Sequence, residues 1–123
     1  MRHSVSPGEI WWAAVPYKDD PEQTKWRPVV VVAVSPHGRD EDGVIVVAPI
    51  PGFHGDGKPR NGDIAVLNWR QISGLSDGDG SWVHARRLWS TEFAAFDQNK
   101  GCVGELPKEV MSQVYTEIIG LFG

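Results

Sequence analysis

At 123 residues and 41% apolar content, the chain has material for one domain around a single modest core. A net charge of −4 argues against a broadly basic nucleic-acid binder but leaves room for a local basic groove. The single cysteine, Cys102, excludes an internal disulfide and the clustered ligands of a structural zinc site.

Residues 1–7 read as a loose leader to one domain spanning 1–123. The opening MRHSVSPGE lacks a signal peptide's hydrophobic stretch, and no apolar run approaches the ~20 residues that span a bilayer, so a cytoplasmic protein is expected. A first strand is predicted over 10–15. A polar, proline-containing loop follows, carrying Glu22, Gln23, Trp26, Arg27 and Pro28. The uninterrupted β-branched run 29–34 reads as a buried second strand. Pro28 has no amide hydrogen to give to a ladder, which predicts it at that strand's first position. Arg27 then stands where a loop enters a rigid sheet.

Residues 36–43 (PHGRDEDG) predict a charged surface hairpin or loop, and 44–48 a third strand closed by Pro49, Ile50, Pro51 and Gly52. Residues 53–62 carry no core pattern and predict a mobile loop. Strands are expected at 64–67 and 82–89, with a short one at 102–103. The period then changes. Val110, Val114 and Ile118 recur every four residues beside Met111, Tyr115, Ile119 and Phe122, the apolar face of a helix over 107–122 with Pro107 in its first turn. Short strands followed by one terminal helix predict a mainly β (β-rich α+β) domain, a small curled antiparallel sheet or barrel with the helix packed on it.

No phosphate-binding loop, HExxH or GxSxG motif is present. His3, His37, His54 and His84 are too scattered to form a recognisable metal site, so metal-free and cofactor-free chemistry is expected. A strand over 82–89 would place Trp82, His84, Arg86 and Leu88 on one face. Imidazole can transfer protons near neutral pH, guanidinium can hold a phosphate by paired hydrogen bonds, and an aromatic ring can stack a base. The plainer alternative is a solvated sheet face, with Arg27 in a surface ion pair to Glu22 or Asp20 and the tryptophans, Trp26 included, filling core.

The combination resembles the PemK/MazF toxins of bacterial toxin–antitoxin systems. The likeness rests on GEIWW at 8–12, EQ-x3-RPVVVV at 22–32 and a VxP strand end at 47–49. It continues through 81–91 and the LPKEVM helix start at 106–111. The resemblance implies an SH3-like small barrel of five to seven short antiparallel strands with a C-terminal helix, working as a homodimer. It also implies a metal-independent endoribonuclease cutting single-stranded RNA, in which the 2′-OH attacks the adjacent phosphorus to give a 2′,3′-cyclic phosphate. Arg27 matches the family's active-site arginine, and Glu22 and Gln23 match its EQ pair on a loop that closes over RNA. Trp26 and Trp82 are candidate substrate contacts.

Pro21 occupies the loop position where some members carry a His, and three further positions depart from that pattern. Pro51 stands where many members carry a Ser or Thr hydroxyl. His84 falls where some place an Arg, and Arg86 where they place an Asp acid/base. The implied partner is a small acidic antitoxin with a disordered tail, with Arg27, Arg86 and Arg87 as its counter-charges. Two other readings accompany the ribonuclease: a non-catalytic protein that binds RNA or antitoxin, and a gyrase-directed toxin of the same fold.

Overall fold

A computed structural model of the chain describes residues 5–16, 20, 22–35, 44–50, 62–66 and 81–122. Pro51, the segment predicted at 36–43 and nearly all of the loop predicted at 53–62 lie outside the described residues. Among the described residues seven strands precede one α-helix: β1 (Glu9–Pro16), β2 (Thr24–Val34), β3 (Ile45–Pro49), β4 (Asp63–Val66), β5 (Ser81–His84), β6 (Trp89–Thr91), β7 (Gly104–Glu105) and α1 (Lys108–Phe122). Five form an antiparallel sheet in the order β6-β3-β2-β1-β7, while β4 and β5 form a separate two-stranded ribbon. The class is therefore mainly β with a C-terminal helix.

Among the described residues the large sheet curls without closing. After β6, a 3₁₀ turn (Phe93–Ala95) carries the chain back to β1. There Phe96 makes a single bridge to Ala13, and the Asp97 N–H donates to the Trp12 carbonyl at 2.8 Å. One bridge in place of a ladder makes a curled sheet of SH3-like form.

Alternation along the strands splits the buried side chains between the two faces of this sheet. One cluster joins Ile10, Val30, Ala48 and Ile50 to Val66 and Val83 of the ribbon and Met111 and Val114 of α1. The other joins Trp11, Ala13, Val29, Val31, Ile45 and Val47 to Phe96. The run 29–32 is thus buried on both sides, which is why it reads as continuous β-branched residues. At about 1.5–3 kcal/mol per fully buried side chain, this run anchors the fold.

Five expectations need correction. Pro28 lies inside β2, opposite Trp12, and not at its start. Its carbonyl accepts the Ile50 N–H at 3.0 Å, so its missing N–H points to the same side, where β3 has already ended at Pro49. Among the described residues β2 has no ladder partner beyond Val29 on that side, and an edge position tolerates proline.

The strand expected over 82–89 is broken in two: β5 pairs with β4, and β6 with β3. The corner between the two sheets is a turn in which the Arg87 N–H donates to the His84 carbonyl at 3.0 Å, with the small Ala85 fully buried.

The strand expected at 102–103 forms instead at Gly104–Glu105, although the Val103 N–H already bonds the Ile10 carbonyl. Pro107 precedes α1 as its cap, its carbonyl accepting the Met111 N–H at 3.0 Å.

The helix face is also narrower than its pattern. Met111 and Val114 are buried and Val110 and Ile118 pack beside them, but Ile119 is 70% exposed. Tyr115 lies at the margin, its hydroxyl donating at 2.7 Å to the Val32 carbonyl, where β2 shifts register against β3.

Candidate functional site

Arg27 sits opposite Ala13 in the β1–β2 ladder, and alternation puts it on the face that carries Val29 and Val31. The last β2–β3 pair is Val29 with Pro49, so Arg27 stands just past the end of β3, at the rim of the curled sheet. It is half-buried, and among the described residues no carboxylate or carbonyl engages its guanidinium. The ion pair to Asp20 or Glu22 weighed from sequence does not form. Asp20 instead shapes the turn before β2: its side chain accepts the Glu22 N–H at 3.3 Å and its carbonyl the Gln23 N–H at 3.0 Å. Glu22 and Gln23 are both exposed at that turn.

Trp26 lies on the opposite face of β2 from Arg27 and is 52% exposed. Across the ladder on that face, Trp12 is half-buried beneath the Lys100 ammonium, which stands 4.5 Å from its ring centroid. The indole N–H of Trp12 has no hydrogen-bond partner among the described residues.

His84 and Trp82 occupy the face of the β4–β5 ribbon opposite Val83, which enters the core between them. The ladder sets Asp63 directly opposite His84, and His84 Nδ1 lies 2.5 Å from Asp63 Oδ1. The Asp63 side chain is only 5% exposed and that of His84 18%. Sequence reasoning missed Asp63. A carboxylate before an apolar run reads as a loop residue until the register shows what faces it.

Arg86 does not share that face. It sits in the turn after β5 and reaches α1, where its Nε and Nη2 both donate to Glu117 Oε1 at 2.7 Å. Gly62 lies underneath at φ +87°, where a Cβ would fall 2.6 Å from the Arg86 side chain. The predicted set therefore divides: Arg27 at the sheet rim, His84 with Trp82 on the ribbon, Arg86 tied to the helix, and Pro51 outside the described residues.

Two groups have displaced acidities. Burial pushes the Cys102 thiol up, with Glu9 and Glu105 adding to the effect, and burial also raises the Tyr115 phenol. Among the described residues no three His, Cys, Asp or Glu side chains gather to hold a metal ion, and no helix is long and apolar enough to cross a membrane.

The sequence pattern described as PemK-like, MazF-like toxin of type II toxin–antitoxin system matches residues 6–122. No curated protein matches the chain. Among solved structures, a MazE–MazF complex from Deinococcus radiodurans superposes with a TM-score of 0.67 at 15% identity, covering 98% of each chain. MazF from the same organism gives 0.65 at 19% identity, over 98% of this chain and 99% of that one. The Mycobacterium tuberculosis toxin MazF-mt6 gives 0.62 at 17%, over 93% and 95%. At such identities these likenesses show the fold.

Proposed function

The chain belongs to the PemK-like, MazF-like toxins of type II toxin–antitoxin systems, and from that premise we propose that it is a metal-independent endoribonuclease acting on single-stranded RNA. In the reaction the 2′-oxygen bonds to phosphorus and the P–O5′ bond breaks, leaving a 2′,3′-cyclic phosphate and a 5′-hydroxyl. It needs a base for the 2′-OH, a proton for O5′ and a cation for the phosphorane.

Arg27 is the observation that carries the reading. A half-buried guanidinium held in an antiparallel ladder, with no carboxylate beside it among the described residues, is a preorganised anion-binding group. His84 is the proton-transfer group in this proposal. Arg27 and His84 belong to different faces of the protomer, so an RNA that engages both runs around the rim or spans two protomers of a homodimer. Glu22, Gln23, Trp26 and Trp82 are the proposed RNA contacts. An acidic antitoxin with a disordered tail would cover Arg27 and the exposed Arg87, and the cytoplasm is the proposed location.

The test is incubation of the purified protein with a long RNA in EDTA, with mapping of the new 5′ ends. Cyclic-phosphate ends in the wild type and their loss in Arg27→Ala support the proposal. Intact RNA, or full activity in Arg27→Ala, refutes it. One observation favours a second reading, a protein that binds RNA or antitoxin without cutting. At the position where relatives carry an acid/base carboxylate this chain has Arg86, and Glu117 already neutralises it. That reading predicts RNA retention with no cyclic ends.

A further inference from the structure

We infer that Asp63 is a positioning residue that fixes the tautomer of His84 and leaves Nε2 as the atom that moves the proton; this rests on the reading of the chain as a ribonuclease. The two residues are direct partners in the β4–β5 ladder, so backbone hydrogen bonding sets their side chains beside each other on one face. The nearly buried Asp63 carboxylate lies 2.5 Å from Nδ1, on the protein side of a ring that keeps some exposure.

An ionised carboxylate only accepts hydrogen bonds, so the neutral imidazole beside it carries its hydrogen on Nδ1 and its lone pair on Nε2. When Nε2 takes a proton, the imidazolium forms next to a fixed negative charge and needs no rearrangement of solvent. Trp82, on the same face two residues away, gives the substrate a ring to lie against.

The step balances as follows. Nε2 takes the 2′-OH proton while O2′ bonds to phosphorus. The P–O5′ electron pair leaves on O5′, which takes a proton from water, and the resulting hydroxide recovers the proton from the imidazolium. Asp63 neither gives nor takes a proton in this step and touches neither substrate nor reacting atom. The ordinary alternative is that Asp63 and His84 form only a structural staple across the ribbon. The two differ in what His84 does when Asp63 is gone.

The test combines nitrogen-15 NMR of the histidine rings with cleavage kinetics, the His84 signals being assigned by their loss in His84→Ala. In mildly alkaline buffer the wild-type His84 is expected with its hydrogen on Nδ1, and Asp63→Ala with a tautomer mixture. On RNA, Asp63→Ala is expected to lose about 10²-fold or more in kcat with little change in KM. The double variant Asp63→Ala/His84→Ala should be no slower than His84→Ala alone, because the carboxylate acts through the ring.

A wild-type spectrum with the hydrogen on Nε2 overturns the proposal, and needs no variant to fold. So does wild-type cleavage by Asp63→Ala, or a double variant slower than His84→Ala by the whole Asp63 factor. A wild type that leaves RNA intact overturns the ribonuclease reading and Asp63's part in cleavage, while the spectrum separately decides whether Asp63 holds the ring.

Discussion

Replacing Gly62 by alanine tests how the turn after β5 is held to the helix. Gly62 has φ +87°, in the region that L side chains rarely adopt, and forcing alanine there costs about 1–2 kcal/mol. A second cost arises because the new Cβ falls 2.6 Å from Cγ, Cδ and Nε of Arg86. Arg86 must swing away, which breaks its contact with Glu117 or forces a poor rotamer. The Arg86 side chain is about half exposed, so solvent screening limits this part to about 0.5–1 kcal/mol. The sum is about 2 kcal/mol, measured as a drop in the urea midpoint at unchanged slope. In an Arg86→Ala background the collision is gone, and Gly62→Ala should cost only the backbone part. A double-mutant cycle should therefore give a coupling of about 0.5–1 kcal/mol. Equal costs of Gly62→Ala in both backgrounds would show that the glycine is required by its backbone alone.

Val114→Ala, in the core beneath α1, should destabilise by about 2 kcal/mol, and Ile119→Ala on the open side of the same helix by less than about 0.5 kcal/mol, both read by denaturant unfolding. Tyr115→Phe should cost about 1 kcal/mol near neutral pH by deleting the bond to the Val32 carbonyl. Burial raises the folded phenol above its ordinary 10.0, so its contribution is complete below that pH and is lost as pH rises through the folded value. The gap between wild type and Tyr115→Phe should therefore narrow in alkali, and a constant gap would contradict the assignment. The raised Cys102 thiol should react with iodoacetamide more slowly at neutral pH than a free cysteine, despite its exposure, as followed by mass spectrometry.

Elements that bury a full period of side chains were legible in the sequence. The run 29–32 fills both clusters and the stripe Val110, Met111, Val114 fills one, so pattern and environment agree. Arg27 was placed only in part: the apolar run after it predicts a strand, but that strand already begins at Thr24, so Arg27 lies inside the ladder and not where a loop enters it. The stretch from 81 to 91 was not. Its alternation suits a strand in either sheet, and only the ladders show that one half serves the ribbon and the other the large sheet. Arg86 thereby leaves the face of His84 for Glu117, thirty-one residues ahead. Asp63 was hidden for the same reason, since its meaning comes from the residue opposite. Pro28 broke the expectation differently: one strand can be central along part of its length and an edge along the rest.

That proline also limits what can attach to the rim. Between Thr24 and Trp26 one side of β2 has no neighbouring strand among the described residues, and an extended chain pairing there would be the next strand of the sheet. Such a chain could not zip along β2 into the sheet. At residue 28 there is no hydrogen to donate, and the carbonyl is already taken by Ile50. For a chain pairing from that end the proline is a stop, so it cannot extend into the continuous ladder from which fibrils grow.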